Sequence, residues 1–408
     1  MKVCVIGSGL AGLTAAIRLL EAGAQVTLVA KGPGGLQLAQ GTVDILGYAP
    51  QRVQTPLEVL GDLSEGHPLR QLGADTVRES LSWLGTELGL TGSPESNLQL
   101  PTAVGSIRPT ALAPASLAGA DANKHSSFAV VGVNQLKDFQ AALIAGNLNR
   151  TTLDGRRLQA KAAVIDFVPR TDEQDPSTVH FAKALDDPTR LKKFAKAVAA
   201  AAPAADVLLV PAVIGLDNQD AWSIFEQTVQ RPAAEICMQP PSMPGLRMFR
   251  ALLERARSLG MRHIQGAKAT GFEASDGHIT AMQVASAGHT KRVRCDAVVH
   301  APGGFESGAI AVDSEGNIEE TLFGLPLTAT TMEGLVVPDH SLPQPLFEVG
   351  VKVDDAMRPI GDSGPTFDNL YAAGGILAGA QRAREKSGDG IAVASAWRAA
   401  ASILGGAR

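Results

Sequence analysis

The stretch "MKVCVIGSGLAGLTAAIRLLEAGAQVTLVAKG", residues 1–32, decides the fold. "MKVCVIG" is a short apolar run, "LTAAIRLLEAGA" carries apolar residues at helical spacing, and "QVTLVA" is a second apolar run. Strand, helix and strand in so short a span make a βαβ unit, which belongs to a parallel sheet. Between the first strand and the helix stands "GSGLAG", with Gly7, Gly9 and Gly12 in GxGxxG spacing and Ser8 inside it. The first glycine makes a tight turn, the second lets the backbone approach a phosphate, and the third lets helix and strand pack closely. Amides at the helix start, and the helix dipole, then receive the anion. The motif alone is weak evidence, but here the strand before it and the helix after it supply the context it needs.

The end of the second strand departs from the dinucleotide pattern. About 20 residues beyond the glycines, an Asp or Glu ordinarily holds the adenosine ribose hydroxyls. Here the strand ends "LVAKG": Ala30 stands at the acid's place and Lys31 follows. A methyl group accepts no hydrogen bond, and a lysine favours a terminal phosphate dianion over a neutral ribose. A mononucleotide with one phosphate, such as FMN, therefore fits better than FAD or NAD. The alternative is that ribose contacts come from elsewhere and FAD binds.

Outward from this unit, "KGPGGLQLAQGTVDILGYAP" is a glycine-rich loop. Residues from about 56 to 240 mix helical runs such as "NQLKDFQAALIAGNL" and "LKKFAKAVAAAA" with short strands such as "FAVVGV" and "VLLVPAVIG". Within that region "SPESN" and "TDEQDPST" are surface loops by composition. From Pro240 the first theme returns: a helix in "PPSMPGLRMFRALLERARSLG", a strand, two alternating strands joined at "SDGH", and "DAVVHAPGG" running into Gly303 and Gly304. "NLYAAGGILAG" brings Gly374 and Gly375, and "GDGIAVASAWRAAASIL" opens an Ala-rich helix at Gly388 and Gly390. The expected fold class is α/β, a Rossmann-like FAD/NAD(P)-binding flavoprotein fold with an inserted α+β domain. Its expected segments are 1–55 and 241–408 for the flavin-binding domain and 56–240 for the inserted cap or substrate domain.

The last helix start could face negative charge developing on a reduced flavin ring, or could be a glycine-capped packing helix without a ligand. Just before it, "AQRAREKSG" carries Arg382, Arg384 and Lys386. These cations suit a phosphorylated or carboxylate substrate, with Arg382 and Arg384 as candidate catalytic residues, or form a solvated charge run. Arg247 in "PPSMPGLR" is a similar candidate, or faces solvent at a helix start. His300 is the one histidine near a suspected cofactor loop and reads as a core or loop residue.

Composition narrows the classes. The 408 residues are 45% hydrophobic and 19% charged, with a formal net charge of −5, which favours a large core and gives nucleic acid binding little support. Cys4, Cys237 and Cys295 are far apart and form no CxxC pair, and no HExxH pairing occurs. A disulfide framework, an iron–sulfur site and a metal site are therefore not expected within this chain, and a reducing, cytoplasmic setting is. The longer apolar stretches are broken by glycine, proline and charge, and read neither as a signal peptide nor as a membrane span.

"CVIGSGLAGLTAAIRLLEAGAQVTLV", "CDAVVHAPGG" and "NLYAAGGILAG…SGDGIAVASA" together resemble the flavoproteins of the fumarate reductase and succinate dehydrogenase class. Within that class the chain is similar to the family of anaerobic glycerol-3-phosphate dehydrogenase B subunits. The narrower resemblance rests on "QGTVDILGY", "FAVVGVNQLKDFQAALIAGNL", "VLLVPAVIGL" and "PPSMPGLR", in order along most of the chain. The resemblance implies an FMN-binding flavoprotein working with a larger FAD subunit and an iron–sulfur membrane-anchor subunit. It implies oxidation of sn-glycerol 3-phosphate to dihydroxyacetone phosphate, with electrons passing to quinone, at the inner face of the cytoplasmic membrane through a partner. Fumarate reductase-like sequences carry a catalytic Arg close before the glycines of the last helix. Here Arg384 lies further upstream, which leaves two roles open, substrate binding there or electron relay alone. The competing expectations are a free-standing FAD oxidoreductase and a non-catalytic scaffold.

Overall fold

The computed structural model describes residues 1–171, 173 and 175–405. Two residues of the "TDEQDPST" loop, Asp172 and Gln174, lie outside the described residues.

The chain divides into two compact units: Met1–Gly35, Asp44–Leu84 and Phe249–Arg408 form the first, and Leu36–Val43 with Gly85–Met248 the second. These bounds differ from the expected 1–55, 56–240 and 241–408. The loop after the first βαβ unit contributes eight residues to the second unit, because its backbone bonds there: Val43 N–H donates to Leu112 O at 2.8 Å and Ser242 N–H to Gln37 O at 3.1 Å. The helix Pro68–Leu88 begins in the first unit, where Leu69, Leu72, Val77 and Leu81 are buried.

In chain order the elements that matter are β1 (Lys2–Ile6), α1 (Leu10–Glu21), β2 (Gln25–Ala30), β3 (Ser127–Val133), α2 (Ala141–Leu148), β4 (Gln159–Ile165), α3 (Pro188–Ala201), β5 (Val207–Pro211), α4 (Ala221–Val229) and β6 (Ala233–Ile236). After them come α5 (Met243–Ser258), β7 (Arg262–Gln265), β8 (Lys268–Ser275), β9 (His278–Ser286), β10 (His289–Arg294), β11 (Ala297–His300), β12 (Leu370–Ala372) and α6 (Gly388–Gly405).

The first unit is built on a five-stranded sheet of order β7-β2-β1-β11-β12, parallel throughout. Its central strands read as continuous apolar runs because both faces are covered. Val3, Cys4 and Val5 on β1, and Val298 and Val299 on β11, are all at most 2% exposed. Burial pushes the thiol pKa of Cys4 well up, so it is an inert core residue. One face carries α1 packed against α6, an arrangement that small residues allow: Ala15, Ala16, Ala394 and Ala396 are fully buried. At the rim Arg18 lies 3.9 Å from the centre of the Trp397 ring. The strands β8, β9 and β10 form a separate antiparallel meander, its first two strands joined at "SDGH".

The second unit, expected as α+β, holds a four-stranded sheet of order β4-β3-β5-β6 that is parallel throughout. Helices run between successive strands, α2 between β3 and β4, α3 between β4 and β5, and α4 between β5 and β6. Parallel neighbours need such crossovers. Small antiparallel pairs accompany this wound sheet, among them Leu98–Pro101 with Ile107–Thr110. The expected helical run from Asn134 is helical only from Ala141, because residues 134–140 turn instead. The core centres on Phe128, Phe181, Phe194 and Phe225, each at most 1% exposed, with Phe167 meeting Phe194 edge-on at 5.1 Å.

Phe194→Ala is expected to destabilise this second unit by about 3–5 kcal/mol, the cost of a large aromatic cavity. Urea unfolding followed through Trp222, whose ring stacks on Phe225 at 5.4 Å, measures it.

Candidate functional site

Three glycine loops converge at the carboxyl ends of β1, β11 and β12. Gly7 has φ +103°, and any Cβ there would run into the carbonyl of Ala301. A Cβ on Gly12 would run into the carbonyl of Gly7. These two glycines are required by backbone-on-backbone contact. Gly9 is different: a Cβ there would meet nothing within 4 Å. It is the N-cap of α1, and no side chain caps the first-turn amides. An uncapped helix start with room beside it fits a phosphate, the role expected of the second glycine.

Ser8 is 3% exposed and does not face that opening; its Oγ donates to Gly32 O at 2.6 Å. It ties the glycine turn to the loop after β2. That loop returns over the turn, since a Cβ on Gly34 would lie 2.9 Å from Gly9 N. Ala30 is 4% exposed, and its carbonyl accepts from Ala267 N–H at 3.1 Å. Lys31 next to it is exposed.

The other two loops meet the first. A Cβ on Gly374 would lie 2.9 Å from Ala11 Cβ, and one on Gly304 would lie 2.9 Å from Gly375 O. Gly303 turns at φ +92°. Ser395 on α6, fully buried, accepts from Gly374 N–H at 2.9 Å and so fixes the loop after β12. Nothing in the sequence pattern marks this serine, since the contact spans 21 residues.

The cations of "RAREKSG" separate. The guanidinium of Arg382 lies on the floor made by Gly304 and Gly375, where a Cβ on Gly304 would be 3.1 Å from Nη2 and one on Gly375 would run into Nη1. Arg384 turns away and donates from Nη1 to Ser341 O at 2.6 Å. Lys386 donates to Ala383 O at 2.6 Å. Gly388 lies near Arg382, a Cβ there being 3.7 Å from Arg382 Cβ. At the start of α6, Gly390 N–H donates to Asp44 O at 2.7 Å and Asp389 Oδ2 accepts from Asp44 N–H at 3.2 Å. The chain's own backbone thus takes up a first-turn amide that was expected to face a flavin ring.

Arg247 is half-buried and held by the protein. It gives Nη1 to Glu235 Oε2 at 2.6 Å, Nε to Gly215 O at 2.9 Å and Nη2 to Ile214 O at 3.0 Å. Glu235 is 2% exposed, so this pair is internal scaffolding of the second unit.

Two buried histidine–carboxylate pairs in the first unit were not foreseen. His300 Nε2 lies 3.0 Å from Glu320 Oε1, both nearly fully buried. Burial alone would raise the Glu320 carboxyl, but His300 and the amides of Phe323 and Leu325 outweigh it and hold its pKa below the ordinary value. His67 accepts from Leu69 N–H at Nδ1, so the imidazole's remaining proton sits on Nε2, 3.1 Å from Glu385 Oε2. The Glu385 carbonyl in turn accepts from Gly47 and Tyr48 N–H at 2.8 and 3.0 Å. Both pairs join residues hundreds or tens of positions apart, beyond the reach of spacing.

A cavity of about 790 Å³ opens beside the loop after β12, lined by Pro68, Arg70, Val351, Lys352, Met357 and Leu377 among others. It is of ligand size. Among the described residues no group of three or more His, Cys, Asp and Glu could hold a metal ion, and no helix is long and apolar enough to cross a membrane.

Comparison with known proteins adds the following. The FAD binding domain family matches residues 2–391. The chain is 30% identical to the anaerobic glycerol-3-phosphate dehydrogenase B subunit of Pectobacterium atrosepticum, covering 98% of each chain. It is 31% identical to the probable anaerobic glycerol-3-phosphate dehydrogenase B subunit of Halobacterium salinarum, covering 98% of this chain and 96% of that one. Among solved structures, 3-ketosteroid delta1-dehydrogenase from Sterolibacterium denitrificans aligns over 99% of both chains at 12% identity, with a TM-score of 0.47.

Gly12→Ala is expected to lower the melting temperature sharply, while Gly9→Ala folds normally and crowds the anion approach. Thermal unfolding and flavin retention, measured together, separate the two. Glu320 stabilises the fold fully above its ordinary carboxyl pKa of 4.5, and the contribution is lost as pH falls through the lowered folded value. Glu320→Gln is therefore expected to cost about 1–3 kcal/mol at pH 7, and the difference from the parent to shrink in acid, as read by urea titrations at several pH values.

Proposed function

The chain belongs to the FAD binding domain family and, within it, to the family of anaerobic glycerol-3-phosphate dehydrogenase B subunits, and from that premise we propose that it is the flavin-carrying subunit of such an enzyme. It serves the oxidation of sn-glycerol 3-phosphate to dihydroxyacetone phosphate, either directly or by relaying the electrons. The observation that carries the reading is the glycine cradle, intact at Gly7, Gly9 and Gly12 and met by Gly304 and Gly374, in a chain alignable end to end with those relatives.

The proposed flavin is FMN. The uncapped start of α1 at Gly9 suits one phosphate. At Ala30 the strand end is a buried methyl whose carbonyl is already bonded, which leaves no carboxylate for an adenosine ribose. Membership in an FAD binding domain family favours FAD as the alternative. A bound flavin supplies the acceptor for the two electrons that leave C2 of the substrate as its alcohol becomes a ketone. The chain's residues hold and orient: α1 amides bind the phosphate, Ser8 braces the turn through Gly32, and Ser395 braces the loop at Gly374.

Cys4, Cys237 and Cys295 are too scattered to hold an iron–sulfur relay, so passage of electrons to quinone calls for partners. The proposed partners are a larger FAD subunit and an iron–sulfur subunit anchored at the inner face of the cytoplasmic membrane.

The test is to purify the chain, denature it, and identify the released flavin by chromatography. FMN is the expected outcome. FAD overturns the mononucleotide reading, and no flavin even after adding it back overturns the flavin role. Anaerobic addition of glycerol 3-phosphate then separates the two modes. Bleaching of the visible band with this chain alone means direct oxidation; bleaching only with the co-purified partners means relay.

A further inference from the structure

Arg382 and Glu306 stand together over the glycine floor, and among the described residues neither finds a full set of partners. The guanidinium has five N–H donors. Among the described residues it makes one hydrogen bond, from Nη1 to Glu306 Oε1 at 3.4 Å, long for such a pair. Arg247, by contrast, is held by a carboxylate and two carbonyls. Among the described residues Glu306 otherwise accepts only a 3.3 Å contact from Gly304 N–H, and its side chain is 62% exposed. An exposed ion pair of this geometry contributes little to stability.

The surroundings are nevertheless shaped for these two groups. Residue 375 must lack a side chain for the guanidinium to lie where it does. A Cβ on Gly375 would also lie 3.2 Å from Glu306 Oε1, and one on Gly304 would lie 3.1 Å from Glu306 Oε2. Carboxylate and guanidinium therefore share the open floor at the carboxyl ends of β11 and β12. The loop after β11 also touches the phosphate turn, through Ala301 and Gly7. This is the edge of an open parallel sheet where ligands bind.

We propose that Glu306 and Arg382 divide the recognition of a flavin mononucleotide: Glu306 accepts hydrogen bonds from the ribityl hydroxyls, and Arg382 binds the phosphate alongside the α1 amides. The inference rests on the flavin reading above. It places a hydroxyl-binding carboxylate on the loop after β11, across β1 from Ala30, and gives it the ribityl chain and not an adenosine ribose. It also makes Arg382 a cofactor ligand and leaves Arg384, held by Ser341, outside the site.

Three probes dissect it: FMN, riboflavin, which lacks the phosphate, and lumiflavin, which lacks phosphate and ribityl chain. Each is titrated by fluorescence against the flavin-stripped full chain. Glu306→Ala is expected to weaken FMN and riboflavin roughly tenfold or more while leaving lumiflavin unchanged. Arg382→Gln is expected to weaken FMN by a similar factor and to spare riboflavin, and Arg382→Lys to restore part of the loss. Both side chains reach solvent, so the variants should melt with the parent, which a thermal scan checks. Equal weakening of all three probes by either variant, or no weakening of FMN, overturns the inference while the flavin role stands. Failure of the parent chain to bind any of the three overturns both together.

Discussion

The close approach of backbone to backbone at the glycine turn is the constraint on which the first unit depends. The carbonyl of Gly7 occupies the space of a side chain at residue 12, and the carbonyl of Ala301 occupies that of a side chain at residue 7. The first contact seats α1 against β1. The second seats β11 beside β1 and thereby brings the loop at Gly303 and Gly304 to the helix start. No energetic term could replace this, because the exclusion is steric and absolute on the scale of a carbon atom. The open side of Gly9 is the cavity left over when its two neighbours are packed tight.

Around that turn, hydrogen bonds from distant segments hold each loop separately. Ser8 grips the loop after β2, Ser395 the loop after β12, and Asp44 the start of α6. Glu385 joins His67 through its side chain and residues 47 and 48 through its carbonyl. The cradle is therefore braced by the chain's own hydrogen bonds, with Arg382 and Glu306 as its loosely engaged members. A rigid floor with a few unsaturated charges above it is what preorganised binding requires.

The three glycines were legible because backbone geometry is written in residue identity: only glycine tolerates the contacts at residues 7 and 12. The parallel sheet of the first unit was legible for a similar reason, since strands covered on both faces must be apolar throughout. The fate of Arg247 and Arg384 was not legible. A cation in a sequence looks the same whether it meets a buried glutamate or a carbonyl, and neither partner, 12 and 43 residues back, stands at a helical or strand spacing. The parallel pairing of the second unit was carried by its alternation of strands and helices, the same signal as in the first βαβ unit, and the small antiparallel pairs among them obscured it. The division at residues 36–43 was equally hidden, since it depends on where Val43 and Gln37 find their backbone partners.

The order of strands in the first sheet bears on how the chain is made. β1 pairs with β11 in the register of Val3 with Ala297, a separation of 297 − 3 = 294 residues. At a synthesis rate of about 5–20 residues per second, that partner follows about 15–60 s later. During this interval β1 and β2 carry an apolar edge with no native neighbour, while the second unit, contiguous from Gly85 to Met248 apart from one short loop, is completed. β1 and β2 can thus pair with each other early but gain their outer neighbours late. On the ribosome the glycine turn therefore stays incomplete until β11, whose following loop packs on Gly7, has emerged.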